Sequence, residues 1–155
     1  MKCKFIIHGE PQGKGRPRFS RQGSYVKTYT PEETVIYENL VVTEFKQQCR
    51  GICFPEGAPL DMRVTAYYSI PKSASKKKRA AMLAREIRPT KKPDSDNILK
   101  VIADSLNKVA YNDDAQIADT MIRKFYSDVP RVEVMIQTIK ELTAKGENRN
   151  DTKEI

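Results

Sequence analysis

Residues 91–117 read KKPDSDNILKVIADSLNKVAYNDDAQI, and the fold is decided by how this stretch is placed. At about 100° per residue counted from Asp96, Asn97, Lys100, Asp104 and Asn107 share a sector of roughly 100°, and Ile98, Val101, Ile102, Ser105, Leu106 and Val109 share the arc from about 140° to 280°. The period predicts a helix over 97–107 with one core face and one charged face. Asp96 and Lys100 are neighbours one turn apart on the open face. Asp94 and Asp96 sit at the N-terminal end, where free backbone N–H groups favour anions. Pro89 to Pro93 should form a linker into this helix, and Asn112-Asp113-Asp114 should form a turn out of it.

Outward from there, the C-terminal side reads as two strands, about 118–126 and 131–138, joined at Asp128-Val129-Pro130. On the N-terminal side, residues 61–70 alternate, with Met62, Val64, Ala66, Tyr68 and Ile70 on one side and Asp61, Arg63, Thr65, Tyr67 and Ser69 on the other. That is the pattern of a half-buried strand. Lys76-Lys77-Lys78-Arg79 opens a short helical stretch ending near Ile87. Thr30-Pro31-Glu32-Glu33 reads as a helix start, with Thr30 as N-cap and Pro31 at the first helical position, and that helix runs to about Cys49. Residues 3–8 are a first strand, and Gly9 to Thr30 a long basic loop. One domain is expected over 1–140, followed by a polar tail over 141–155 that should fray.

Composition narrows the function. The chain has 155 residues, and 28 Lys+Arg against 20 Asp+Glu give a net charge of +8. With 39% hydrophobic residues it is no disordered polyelectrolyte. No stretch approaches the roughly 20 apolar residues of a membrane span, and the apolar run in MKCKFIIHGEPQ is too short for a signal peptide, so the expectation is a cytoplasmic protein with no membrane partner. Cys3, Cys49 and Cys53 are an odd number without a CxxC pair. They read as free thiols serving as small buried hydrophobes rather than as a zinc site with His8. His8 is the only histidine, which removes Ser-His-Asp and Cys-His chemistry as leading readings and leaves carboxylates to carry any catalysis. The loop Gly9-Glu10-Pro11-Gln12-Gly13-Lys14-Gly15 lacks the spacing and the Ser/Thr of a nucleotide-binding P-loop.

Taken alone, an Asp at a helix N-cap is commonplace and an Asp-Lys pair one turn apart is an ordinary surface pair. The conjunction says more. Two aspartates before a helix, a lysine four residues on and an Asp-Asp turn offer three oxygen donors from two segments, a set suited to a hard divalent cation such as Mg²⁺. Positive charge gathers at Lys14, Arg16, Arg18, Arg21 and Lys27, and again at Lys72, Lys76, Lys77, Lys78 and Arg79. The natural partner is a phosphate backbone, the alternative being a solvated surface kept for solubility. Phe19, Tyr25 and Tyr29 interleave with the first group, fit either to stack on unpaired bases or to pack against the first strand.

The stretch 91–117 resembles the signature of the RusA family of Holliday junction resolvases, K-P-D-x-D-N, a lysine, then a D-D-x-Q turn. GKGRPRF, TYTP and PKSASKKKRAAML resemble family blocks in the same order, so the likeness covers most of 1–139. The resemblance implies an α/β (α+β) fold, a small mixed β-sheet flanked by helices, acting as a homodimer. It implies a Mg²⁺-dependent endonuclease, with Mn²⁺ as substitute and no small-molecule cofactor, that resolves four-way DNA junctions by paired nicking in recombination and repair. Two-fold symmetry of protein and junction would match. The family's metal-binding aspartates fall on Asp94, Asp96 and Asp114, with Asp113 one residue off, and its catalytic lysine on Lys100. The DNA contacts expected from the basic groups are Lys14, Arg16, Arg18, Arg21, Lys76, Lys77, Lys78 and Arg79, with Lys92 and Asn97 beside the aspartates. Ala74 stands where family members commonly carry a bulky aromatic. Two other readings remain at this point: a basic protein that holds branched nucleic acid without cutting it, and a related metal-dependent nuclease for other branched or flap DNA.

Overall fold

A long alternating strand, β4 (Leu60–Ser69), organises the computed structural model, which describes residues 1–140. Before it come β1 (Lys2–His8), β2 (Arg18–Gln22), β3 (Tyr25–Tyr29) and α1 (Glu32–Cys49). After it come α2 (Lys76–Leu83), α3 (Ser95–Ser105), a 3₁₀ turn (Asp114–Gln116), β5 (Ile117–Ser127) and β6 (Arg131–Thr138). The main sheet has the order β1-β6-β4-β5. β4 pairs parallel with β5 and antiparallel with β6, which pairs antiparallel with β1, so the sheet is mixed. A parallel pair needs a long crossover, and here the crossover carries α2 and α3. This is the mixed α+β single domain that the sequence reading expects.

The alternation of β4 holds from Met62 onward, with Met62, Val64, Ala66 and Tyr68 buried in the core, whereas Asp61, expected on the open side, is buried at the irregularity where the strand begins. α1 and α3 cover that face of the sheet. Tyr37, Val41, Phe45 and Cys49, each one turn after the last, form the buried stripe of α1, and Ile98, Val101 and Ile102 that of α3. Phe45 meets Phe5 edge to face, with ring centroids 5.5 Å apart. The predicted core face of α3 is confirmed, Leu106 and Ser105 included.

Several expectations are corrected. Residues 9–30 are no open loop: β2 and β3 form a two-stranded sheet of their own, turning at Gly23, whose φ of +64° suits glycine. The N-cap of α1 is Pro31 rather than Thr30, and no side chain caps it. α2 stops at Leu83, short of Ile87, and Arg85 follows with a left-handed φ of 65°. Cys3 and Cys49 are buried as expected, but Cys53 is exposed. β5 and β6, though joined by a short turn, do not pair, because β4 lies between them. On β6, Val132, Val134 and Ile136 are core, at 0%, 2% and 0% exposure. The expected tail over 141–155 lies outside the described residues. Among those described, no helix is long and apolar enough to cross a membrane.

Candidate active site

Asp94 caps α3 from extended backbone, φ −68° and ψ 152°, and its side chain bonds no helix N–H, which leaves the carboxylate available at the helix mouth. Asp96, Lys100 and Asp104 follow on successive turns of α3 and face a depression of about 340 Å³. Asp114 closes the depression from the 3₁₀ turn, and Thr120 of β5 completes its rim.

The turn explains which of its two aspartates faces inward. Asp113 is spent on capping: its Oδ1 accepts from the Ala115 N–H at 2.8 Å, while Gln116 Oε1 accepts from the Asp113 N–H at 3.3 Å. The Ala115 bond, with the neighbouring Asp114 second, holds the Asp113 carboxyl below its usual range. The Asp114 N–H donates to Asn107 Oδ1 at 2.8 Å, tying the turn to the end of α3. Burial raises the Asp114 carboxyl, and hydrogen bonding to Asp104 and Asp113 raises it further. Neighbouring carboxyl groups disfavour each other's charge, which a proton or a cation between them relieves.

Lys14 enters this acidic group from the basic loop. Its Nζ lies 2.8 Å from Glu38 Oε1 of α1 and 3.1 Å from Asp104 Oδ2. Burial alone would lower its pKa, but the two pairings outweigh that and raise it. The flanking glycines are there for close approach. A Cβ on Gly13 would stand 3.0 Å from Asn97 Cβ, and one on Gly15 would stand 2.4 Å from Thr34 Oγ1. Lys14 N–H donates to the Asn97 carbonyl at 3.2 Å, so the loop is laid directly on α3.

Beside the depression runs a cleft of about 640 Å³, lined by Lys14, Arg16, Arg18, Lys92, Asp94 and Asn97. Tyr68 Oη donates to the Pro93 carbonyl at 2.6 Å, and Lys124 Nζ to the Lys91 carbonyl at 2.7 Å, bracing the segment that leads to Asp94. Lys124 also lies 5.0 Å from the Tyr68 ring. Burial depresses the Lys124 ammonium while nearby Asp94 opposes that shift.

The sequence-derived residues therefore fall into groups. Asp96, Lys100 and Asp114 share the depression, and Asp94, Lys14, Arg16, Arg18, Lys92 and Asn97 share the adjoining cleft. Arg21 lies on the hairpin. Lys76, Lys77 and Lys78 are exposed on α2, which packs against the edge strand β5, and Arg79 is paired with Asp128. Sequence reasoning placed Asp104 on the charged face but gave it no role, and it passed over Lys124. The signal for Asp104 was its position one turn beyond Lys100.

The donor chemistry fits a hard divalent cation: the carboxylates of Asp96, Asp104 and Asp114 line one open depression, and burial, with Asp104 and Asp113 adding to it, raises the Asp114 carboxyl. Among the described residues, no three acidic, His or Cys side chains stand close enough together to cage an ion as they are placed.

Comparison with known proteins agrees in direction. The family model described as endodeoxyribonuclease RusA matches residues 8–137. The chain is 39% identical over 142 residues to the uncharacterized protein YqaN of Bacillus subtilis strain 168, covering 90% of this chain and 99% of that protein. It is 32% identical over 88 residues to the crossover junction endodeoxyribonuclease rusA of Lactococcus phage r1t, covering 56% of this chain and 60% of the phage protein.

Proposed function

The chain belongs to the RusA family of endodeoxyribonucleases, and on that premise we propose that it is a Mg²⁺-dependent, structure-selective nuclease that resolves four-way DNA junctions during recombination and repair in the cytoplasm. Residues 1–140 are the nuclease domain in this reading, and 141–155 an appended tail. The observation that carries it is one depression faced by Asp96, Lys100, Asp104 and Asp114, opening beside a cleft lined by Arg16, Arg18 and Lys92. A surface kept basic for solubility has no reason to border a crowded carboxylate set.

Arg16, Arg18 and Lys92 bind the DNA backbone and lead it to the mouth of α3, where Asn97 offers a side-chain amide to the same strand. Asp96 and Asp114 would hold the cation, with Asp94 in the adjoining cleft as the third carboxylate. Bound there, Mg²⁺ would act as a Lewis acid on the scissile phosphate and lower the pKa of the attacking water. Mn²⁺ has the same oxygen preference and should substitute. Lys100 places its ammonium in the same depression, where it donates to a phosphate oxygen as negative charge builds in the transition state. Lys14 fixes Asp104, so the carboxylates keep their spacing when DNA arrives. No small-molecule cofactor enters this chemistry.

Among the described residues each chain carries one such carboxylate set, whereas resolution needs two opposed nicks. The acting species is then a homodimer whose two-fold axis matches that of the junction. It should sediment at about twice 17.7 kDa. The functional test is cleavage of a synthetic four-way junction. Paired symmetric nicks with Mg²⁺ and none with a chelator support the reading, and tight binding without cleavage in any divalent metal would replace it with a branched-DNA-binding protein.

A further inference from the structure

The β2–β3 hairpin has no evident reason to be stable. Every residue of its two strands is exposed except Ser20, which is half-buried, and the hairpin joins no other strand. A lone two-stranded ribbon is marginal in water. Yet this one displays Phe19 at 72%, Tyr25 at 70% and Tyr29 at 46% exposure.

Its register sorts the side chains. Arg18 lies opposite Tyr29, Ser20 opposite Lys27, and Gln22 opposite Tyr25. Residues directly opposite share a face, so Tyr25, Lys27, Tyr29 and Arg18 lie together, with Lys27 between the two tyrosines. The rings are four residues apart, roughly 13 Å along the strand. Among the described residues neither ring stacks on another ring or under a cation. Among the described residues neither Arg18 nor Lys27 makes an ion pair. Between Arg18 and Tyr29 the chain has three cations and no acidic residue.

We propose that this face of the hairpin is a stacking platform for unpaired nucleotides at the branch of a DNA substrate, taking bases on Tyr25 and Tyr29 and the intervening phosphates on Lys27 and Arg18. The inference rests on the nuclease reading for its substrate and names the feature of that substrate which is read. Alternating rings and cations is how single strands are held without regard to sequence. Arg18 belongs both to this face and to the cleft that holds Asp94, so a strand lying in the cleft continues onto the hairpin. Packing against a second copy is disfavoured, because a two-fold contact through this face would set Arg18 and Lys27 against their own images.

The test is binding without divalent metal, so it does not depend on cleavage. The full chain is titrated with a DNA duplex carrying a three-nucleotide bubble, with 2-aminopurine at the unpaired positions, and with the fully paired duplex. Tyr25→Ala combined with Tyr29→Ala should weaken bubble binding by about tenfold or more, remove the quenching of 2-aminopurine, and leave duplex affinity within twofold. Tyr25→Phe combined with Tyr29→Phe, which keeps both rings, should bind the bubble as the wild type does. Equal losses on bubble and duplex, unchanged quenching in the alanine variant, or a drop from dimer to monomer in sedimentation would each overturn the platform. Failure of the wild-type protein to nick any junction in Mg²⁺, with bubble binding intact, would instead overturn the nuclease reading alone.

Discussion

Lys14 Nζ lies 3.1 Å from Asp104 Oδ2, so the basic loop after β1 and the charged face of α3 are joined by an ion pair at the edge of the candidate active site. Asp104 shares its depression with Asp114, so this lysine is expected to act on the carboxylate set rather than on DNA. Lys14→Ala should slow junction cleavage by about 10- to 100-fold through misplaced carboxylates, with Lys14→Arg restoring part of the rate. Junction affinity should change little. A variant that binds poorly but cuts at the normal rate once saturated would return Lys14 to the phosphate-binding set.

For Lys100, removal of the ammonium should cost roughly 10² in the single-turnover rate, the scale of a lost oxyanion contact, with a small effect on affinity. A rate within a few-fold of the wild type would make Lys100 an ordinary surface partner of Asp96.

The basic residues should separate by salt dependence. Arg16→Ala and Arg18→Ala, which remove cations lining the cleft, should each shallow the slope of log affinity against log salt by about one unit. Arg79 is already paired with Asp128, and Arg79→Ala should shallow it by less. Equal slopes for all three variants and the wild type would show these cations to be merely solvated.

Alkali should unfold the protein through its buried tyrosines. Burial pushes Tyr37 and Tyr68 from 10.0 up to about 12, and raises Tyr111 as well. Between pH 10 and 12 the unfolded chain releases phenolic protons that the folded chain keeps, so stability present below pH 10 is lost as the pH rises through that window. Tyr37 Oη is buried and makes no hydrogen bond among the described residues, although the Gln12 backbone stands near enough to favour its phenolate. Tyr37→Phe should therefore be neutral or raise stability by up to about 1–2 kcal/mol at pH 7, and should flatten the alkaline decline. Chemical denaturation across this pH range checks both effects, and destabilisation at pH 7 would show the hydroxyl to be bonded.

What could be read in advance follows from which signals are periodic. The 3.6-residue pattern of 97–107 put Ile98, Val101 and Ile102 inward and Asp96, Lys100 and Asp104 outward, and the alternation in 61–70 oriented β4 in the same way. The hairpin was missed because its burial does not alternate: neither face is covered, so no apolar side marks the strands. Its local signal was the pair Gly23-Ser24 between Arg-Phe and Tyr-Val segments. The Lys14–Asp104 contact joins residues 90 positions apart, and no local pattern reports it. That Asp94 opens toward the neighbouring cleft rather than the depression follows from its extended N-cap backbone, which one-letter spacing does not reveal.

The most direct measurement is single-turnover cleavage of a four-way junction by Asp96→Asn and Asp114→Asn, with binding measured alongside in Ca²⁺. The carboxylates are held to assist chemistry rather than association, and removing a negative charge beside DNA does not weaken electrostatic attraction. Both variants should bind the junction at least as well as the wild type and cut it at no detectable rate. Wild-type cleavage by either variant would contradict the account.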